Sequence, residues 1–117
     1  MWYTVIQAEN DSEGAVHAKV STDARSPWFA GHFPGDPILP GIAQLNMVTE
    51  CIERVLQQKL VLQKLARVKF KKLIRPGDIL DIHAVAGKQN NNYTFSIQHN
   101  NQQVCSGRLV LIPGKEQ

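Results

Sequence analysis

The sequence predicts an α+β fold in which an antiparallel sheet wraps around one long helix. Residues from Gly41 to about Leu60 carry apolar side chains at three- and four-residue steps, which is the period of an amphipathic helix. The flanking segments are shorter, rich in β-branched and aromatic residues, and separated by polar turns, as strands are. An antiparallel sheet must bury its apolar face, and the helix is the simplest cover for it. The 117-residue length indicates a single domain over residues 1–117.

The residues at the start of the chain predict a two-stranded hairpin. Trp2–Ala8 and Ala15–Ser21 have strand composition, and the polar segment Glu9–Gly14 between them is typical of a turn. The second strand alternates apolar and polar residues. His17 falls on its polar face, where we expect a solvated side chain.

The residues after the helix predict four further strands, which brings the total to six. The first of them ends in the turn Arg75-Pro76-Gly77-Asp78. His83 and His99 fall on later strands, and the sequence indicates no partner for either. The four predicted strands are Lys64–Ile74, Ile79–Ala86, Tyr93–His99 and Val104–Ile112.

Composition excludes several classes of protein. No apolar run approaches the roughly 20 residues that span a bilayer, so we expect no membrane insertion. The N-terminus lacks the pattern of a signal peptide, and we expect a cytoplasmic protein. Cys51 and Cys105 have no metal-ligand spacing, and we expect two buried thiols. Nothing in the sequence indicates a metal site or a cofactor.

The positive charge is concentrated in one segment. Seven Lys and Arg residues and no acidic residue lie between Lys59 and Arg75. Such a surface attracts an acidic partner. Nucleic acid is disfavoured because Phe70 is the one aromatic residue in the segment and no binding motif is present.

The segment before the helix is unusually rigid. Three prolines and three glycines lie within Gly31–Gly41, and they restrict some backbone angles while permitting uncommon ones. Pro40-Gly41 is typical of a helix start with exposed amides, which can hold an oxygen that is gaining negative charge. His32 lies eight residues before Pro40, so a titratable imidazole and a helix N-terminus can meet at one place.

Two motifs resemble one family. GHFPGDPILPG followed by IAQLN closely resembles the active-site segment of the beta-hydroxyacyl-acyl carrier protein dehydratases of fatty-acid synthesis. RVKFKKLIRPGD, residues Arg67–Asp78, resembles the basic strand of that family. The resemblance implies a hot-dog fold, at least a homodimer with sites at the interface, and an acidic acyl carrier protein as partner. We expect the carrier protein to meet Lys69, Lys71, Lys72 and Arg75.

The resemblance also implies roles for residues of the rigid segment. The reaction is loss of water from a beta-hydroxyacyl thioester, which requires a base, an enolate-stabilising donor and an acid. His32 matches the catalytic histidine of the family and is expected to be the base. The amide of Gly41 matches the position that receives the thioester carbonyl oxygen. We expect Phe33, Pro40 and Ile42 to contact substrate as well.

The acid departs from the pattern of the family. The helix position that carries Asp or Glu in the family is Asn46 here, and an amide cannot donate a proton at neutral pH. Glu50 lies one helical turn later on the same face, where the family commonly has glutamine. One hypothesis is that Glu50 takes over the acid role, through a water positioned by Asn46. The other is that Glu50 meets solvent or a partner charge.

The resemblance therefore implies a dehydratase-like hydro-lyase of fatty-acid or polyketide-type synthesis. Asn46 leaves two alternatives open. One is a catalytically impaired acyl-binding or scaffold subunit that pairs with an active homologue. The other is a hot-dog acyl thioesterase, in which His32, Asn46 and the Gly41 amide orient a water molecule.

Overall fold

The computed structural model describes residues 3–23, 39–89 and 91–114. Six strands and one helix lie within them, the number that the sequence predicts. Strand Ile79–Ala86 has the predicted bounds, and the other elements differ from prediction by one to four residues at their ends. The elements are β1 Tyr3–Asn10, β2 Val16–Thr22, α1 Gly41–Leu56, β3 Leu60–Phe70, β4 Ile79–Ala86, β5 Asn92–His99 and β6 Gln102–Pro113.

The strands form one antiparallel sheet in the order β1-β2-β4-β5-β6-β3. Strands β1 and β3 are therefore its two edges. The helix α1 packs against one face of this sheet, and its buried residues join the apolar side chains of the strands in a single core. This is the hot-dog fold that the resemblance implies.

The core explains the alternation seen in the sequence. Successive side chains of a strand point to opposite faces of the sheet, so buried residues alternate with more exposed ones along β2, β4 and β5. The one helix of the described residues, α1, is neither long enough nor apolar enough to cross a membrane. The largest fully buried side chains are Val16, Val20, Met47, Val48, Ile52, Ile74, Leu80, Ile82, Phe95, Ile97, Leu109 and Leu111.

Both cysteines are buried and free, which confirms the sequence prediction. Burial raises the pKa of the Cys51 thiol to about 12 and that of the Cys105 thiol to about 11. At neutral pH both are therefore protonated thiols, which behave as small apolar side chains.

The helix ends earlier than the sequence predicts. Its last residue is Leu56, not Leu60, because Gln57 takes a left-handed conformation with φ 53° and ψ 44°. The Gln57 N–H donates to the carbonyl oxygen of Glu53, and the Glu53 carboxylate accepts a 2.8 Å hydrogen bond from the N–H of Leu60. Apolar spacing continues through Leu60, but Leu60 belongs to the next strand.

Strand β3 also differs from its prediction. It runs from Leu60 to Phe70, so the predicted strand Lys64–Ile74 is wrong by about four residues at each end. Its register against β6 shifts between Ala66 and Lys69, where Arg67 has a φ of 53°. This is a β-bulge, and it breaks the alternation that sequence reasoning depends on.

Candidate active site

The helix α1 begins at Gly41, directly after a proline. Its N-cap residue is Pro40, with φ −62° and ψ 153°, and no described side chain caps the helix. The first turn contains no acidic residue. The first N–H groups of a helix have no partner within the helix, and they carry a partial positive charge. The sequence prediction of a helix start at Pro40-Gly41 is therefore confirmed.

Gly41 lies directly beneath an aromatic ring. A Cβ atom at this position would lie 2.6 Å from Cζ of Phe70 and 3.1 Å from both Cε atoms. Phe70 is the last residue of β3, and its ring is half-exposed. Any side chain at this position would therefore require the Phe70 ring or the helix start to move.

A buried glutamine fixes the residues in front of the helix. Gln44 is 3% exposed, and its Nε2 donates a 3.2 Å hydrogen bond to the carbonyl oxygen of Leu39. The N–H of Leu39 in turn donates to the carbonyl oxygen of Ile74 at 2.8 Å. Sequence reasoning missed Gln44, although a polar residue at an apolar position of the helical repeat is the signal that could have revealed it. These bonds anchor the approach to Gly41 on two sides.

Asn46 and Glu50 lie on one exposed stripe of α1, as the helical spacing predicts. The stripe also contains Ile42, which is 53% exposed, and all three residues face away from the core. Residues four apart on a helix have Cβ atoms roughly 5–6 Å apart. The amide and the carboxylate can therefore act on the same group.

Glu50 has a partner that the sequence did not indicate. The hydroxyl of Tyr3 donates a 2.9 Å hydrogen bond to Oε1 of Glu50, across 47 residues of sequence. Burial, the neighbouring Cys51 and this hydrogen bond raise the pKa of Tyr3, so the phenol stays protonated and remains a donor. The contact joins the edge strand β1 to the exposed stripe of the helix. No local sequence pattern predicts it, because it depends on how β1 lies beside α1.

Two predicted site residues lie outside the described residues. These are the expected base, His32, and the expected substrate contact Phe33. Pro40, Gly41, Ile42, Asn46 and Glu50 are described. Among the described residues, no group of three His, Cys, Asp or Glu side chains could hold a metal ion.

The four basic residues expected to meet a carrier protein are all exposed. Two of them are held against the start of β6. The Lys71 Nζ donates a 2.6 Å hydrogen bond to Oε1 of Gln103, and the Lys72 Nζ donates to Oε1 of Gln102. Arg75 begins the turn before β4, where its N–H donates to Oδ2 of Asp78 at 2.9 Å.

The histidines outside the expected site have partners, contrary to the sequence-based expectation. His17 is exposed as predicted, but its ring lies 4.5 Å from that of His83 between centroids. Its Nε2 is 3.1 Å from Oδ2 of Asp11. The Nδ1 of His99 is 3.0 Å from the carbonyl oxygen of Ile79. The first contact follows from the pairing of β2 with β4, which places His17 opposite His83.

The chain is similar to known dehydratases over most of its length. A protein-family model named ApeI-like, which describes the ApeI dehydratase, matches residues 7–108. The chain belongs to the ApeI-like dehydratase family. One relative is 31% identical over 115 residues. It is the 3-hydroxyacyl-[acyl-carrier-protein] dehydratase FabZ of Lactiplantibacillus plantarum. That alignment covers 90% of this chain and 78% of the relative. The predicted dehydratase resemblance is confirmed.

Solved structures agree with this assignment. An uncharacterized protein from Erwinia carotovora subsp. atroseptica has a TM-score of 0.82 and 28% identity, over 99% of this chain and 100% of that one. The dehydratase heterocomplex ApeI:P from Xenorhabdus doucetiae has a TM-score of 0.83 and 25% identity, over 95% of this chain and 98% of that one. The chain therefore shares its fold with proteins of known structure, one of which is a dehydratase complex.

Proposed function

We propose that this ApeI-like protein removes water from a beta-hydroxyacyl thioester carried by an acyl carrier protein, and releases the trans-2-enoyl thioester. The observation that carries the proposal is the uncapped start of α1 at Gly41. An open helix N-terminus without an acidic residue suits the oxygen of an enolate, which gains negative charge as the reaction proceeds. Family membership supplies the reaction class.

Three groups of this chain carry out the proposed reaction. His32 removes the proton next to the thioester carbonyl, and the electron pair forms the enolate, whose oxygen accepts a hydrogen bond from the Gly41 N–H. The enolate then re-forms the carbonyl and a carbon–carbon double bond forms as the beta-hydroxyl leaves. Glu50 gives a proton to that hydroxyl, which departs as water. Proton exchange with solvent restores both residues.

The Tyr3 contact favours Glu50 over Asn46 as the acid in this proposal. Asn46 can orient a water molecule but has no proton to give at neutral pH. Tyr3 occupies Oε1 of Glu50 and restricts its orientation, so proton transfer uses Oε2. A catalytic group held in one geometry reacts faster than one that must first be ordered.

A turnover assay tests the proposal. Purified protein is incubated with a beta-hydroxyacyl thioester of the carrier protein, and the products are identified by mass spectrometry. We expect enoyl product, and a loss of about 10²- to 10⁴-fold in rate for both His32→Ala and Glu50→Gln. Glu53→Gln is the matched control, since Glu53 lies on the same helix but uses its carboxylate to bind the Leu60 N–H.

Each other outcome identifies a different function. Free acid as product would make the protein a hot-dog thioesterase. No product across several chain lengths, with carrier-protein binding retained, would make it an acyl-binding or scaffold subunit. Full activity of Glu50→Gln would exclude Glu50 as the acid while leaving the dehydratase assignment in place.

The role of Tyr3 has a separate test. We expect Tyr3→Phe to lower kcat by about tenfold with little change in KM, because it removes the hydrogen bond that holds the Glu50 carboxyl group in place. In the Glu50→Gln background the same change should have no further effect. A Tyr3→Phe loss of equal size in both backgrounds would mean that Tyr3 acts on stability alone.

We also propose that the protein forms a homodimer through the edge strand β3. Large apolar side chains are exposed along this strand and just after it, and an unpaired edge is a template for pairing with another strand. Light scattering should give twice the chain mass, and Leu65→Lys should reduce it to the monomer mass with loss of turnover. A fully active monomer would contradict the proposal. The exposed apolar residues are Val61 at 48%, Leu65 at 41%, Phe70 at 51% and Leu73 at 55%.

The partner and the compartment are part of the same proposal. Lys69, Lys71, Lys72 and Arg75 are exposed cations that suit an acidic carrier protein, and two free buried thiols suit the reducing cytoplasm. Replacing the four cations by glutamine should weaken carrier-protein binding and reduce its dependence on salt. Unchanged binding would show that the carrier protein docks elsewhere.

A further inference from the structure

The outer face of the sheet, opposite α1, carries a row of polar side chains across the strands. The strand registers place Glu9 opposite His17, His17 opposite His83, His83 opposite Ser96, Ser96 opposite Ser106, and Ser106 opposite Lys69. Neighbouring strands lie about 4.8 Å apart, so His83 and Lys69 are roughly 14 Å apart at the backbone. The floor between them consists of the two short serine side chains.

The two halves of this outer face differ in charge. On β2, two side chains have acidic partners: Lys19 Nζ lies 3.9 Å from Oδ1 of Asp81, and His17 Nε2 lies 3.1 Å from Oδ2 of Asp11. On β3 and β6, Arg67, Lys69 and Arg108 are exposed, and no carboxylate among the described residues lies within ion-pair distance of them. Charge is thus neutralised on one half and accumulated on the other.

The accumulated charge surrounds a groove of about 680 Å³. Its described lining contains Arg67, Lys69, Lys71 and Arg108 and no acidic residue, and Lys88 lines a smaller depression that shares Arg108. The volume lies within the range of roughly 300–1,000 Å³ that is usual for small-molecule sites.

The bulge in β3 contributes to this grouping. It adds one residue to β3 between Ala66 and Lys69, and both Arg67 and Lys69 line the groove. Val68 turns inward, where a Cβ atom on Gly107 would lie 2.9 Å from its Cγ2. The glycine therefore leaves room for Val68 to pack against β6, and Arg67, Val68 and Lys69 all line the groove.

Recessed donors lie below the cations. Ser96 and Ser106 are half-buried and line the groove, whereas the four basic residues at its rim are exposed. Within the described chain neither serine hydroxyl has a hydrogen-bond partner. From Ser106, Lys69 is one strand spacing away and Arg108 is two residues along β6, roughly 7 Å, which both long side chains can cover.

We propose that this groove binds the phosphate group of a small phosphorylated molecule, with Ser96 and Ser106 donating to the phosphate oxygens from below and Lys69 and Arg108 from the sides. Phosphate oxygens accept several hydrogen bonds at once and favour Arg and Lys. A carboxylate on the surface of an acidic protein reaches the exposed cations but not the recessed hydroxyls. The site lies on the face of the sheet opposite α1, away from Gly41, Asn46 and Glu50, and it shares only Lys69 and Lys71 with the proposed carrier-protein surface.

Titration of the full chain with inorganic pyrophosphate tests the proposal. Binding is followed by calorimetry and by the amide NMR signals at about 0.15 M salt. We expect saturable binding that shifts the amide signals of Ser96, Ser106 and Arg108. The double variant Ser96→Ala/Ser106→Ala keeps every charge and should bind at least about tenfold more weakly, since it loses hydrogen bonds to a charged group. Arg108→Gln should weaken binding to a similar extent. Lys19→Gln, an exposed cation on the same face but outside the groove, is the control and should bind normally.

The proposal has clear contrary outcomes. Binding that does not saturate, or that Lys19→Gln weakens as much as Arg108→Gln does, would show diffuse charge attraction. Normal pyrophosphate binding by the double serine variant would exclude the recessed site. Carrier-protein binding that requires the rim cations, with no pyrophosphate binding at all, would make the groove a docking surface for an acidic protein. Circular dichroism melts confirm that each variant is folded.

Discussion

The two ends of α1 are built in opposite ways. At the C-terminal end, the left-handed Gln57 returns a hydrogen bond to Glu53, the Gln58 N–H donates to the same carbonyl oxygen at 3.2 Å, and Arg54 lies in the last turn. At the N-terminal end, none of the residues that the structure describes caps the helix with a side chain, and the first turn has no acidic residue. The helix therefore caps its C-terminal end with its own residues, whereas its N-terminal end has no side-chain cap among the described residues.

This difference separates stability from function along one helix. A side-chain cap is worth roughly 1 kcal/mol, and the N-terminal end lacks this contribution. An uncapped, electropositive end is able to hold an anionic oxygen, which a capped end is not. Changes at the C-terminal end should therefore alter the free energy of unfolding, and changes at the N-terminal end should alter turnover.

The largest effect is expected at the open end. Gly41→Ala places a methyl group 2.6 Å from Cζ of Phe70, so the ring or the helix start must move. We expect turnover to fall by about 10²-fold, because a displacement of about 1 Å at a reacting group has that effect, with little change in the melting temperature. Kinetics and thermal melts on the same sample check both.

A second variant separates the causes of that loss. In Gly41→Ala/Phe70→Ala the clash is absent, so recovered turnover would mean that the ring had displaced the helix start. Persistent loss would mean that the added methyl group itself obstructs the thioester oxygen. Full activity of Gly41→Ala would remove this amide from the mechanism.

The next effect is expected at the closed end. Glu53→Ala leaves the half-buried N–H of Leu60 without its acceptor and should lower the free energy of unfolding by about 1–2 kcal/mol. Turnover of the folded protein should not change. Urea denaturation measures the loss, and Glu53→Gln, which retains an acceptor oxygen, should lose less. A defect in turnover at Glu53→Ala would contradict the separation of the two ends.

A smaller effect of opposite sign is expected one turn later. Gln57 has a φ of 53°, a conformation that favours glycine. Gln57→Gly should raise the free energy of unfolding by about 0.5 kcal/mol, since it relieves strain but also adds freedom to the unfolded chain. Destabilisation on denaturation would mean that the Gln57 side chain contributes more than its backbone costs.

The smallest effect is expected away from the helix, at Asp11, and it is an effect of pH on the stability of the protein. Hydrogen bonds from His17 and from the N–H groups of Glu13 and Ala15 lower the pKa of Asp11 below its ordinary 3.8. The stabilisation is complete above pH 3.8 and is lost as the pH falls through the lowered folded value. Asp11→Asn should therefore be slightly less stable at neutral pH, with a difference that disappears in acid. A constant difference at all pH values in thermal melts would exclude this titration.

The start of the helix was predictable from sequence because Pro40-Gly41 determines it locally. Its end was not, because Gln57 is not glycine and Leu60 continues the apolar spacing as the first residue of β3. Strand β4 was predicted with its observed bounds because its alternation is unbroken. The bulge at Arg67 broke that alternation in β3 and displaced the prediction.

Only those residues of the candidate site that lie on the helix α1 could be placed from the sequence. Gly41, Asn46 and Glu50 lie where their spacing along α1 predicts. Tyr3 and the pairing of His17 with His83 were missed because each joins segments that are far apart in sequence, and only the strand register brings them together. The prediction that places His32 at the site stays a prediction.

The two buried thiols can be used to measure local opening of the structure. Cys51 lies on α1 and Cys105 on β6, and each has a raised pKa and no disulfide partner. A thiol reagent can modify either one only when the surrounding structure opens, so the two labelling rates report local opening of the helix and of the sheet separately. Ligands of the helix side and of the outer face should slow different rates, which would show, without any assay of turnover, which side of the sheet each ligand occupies.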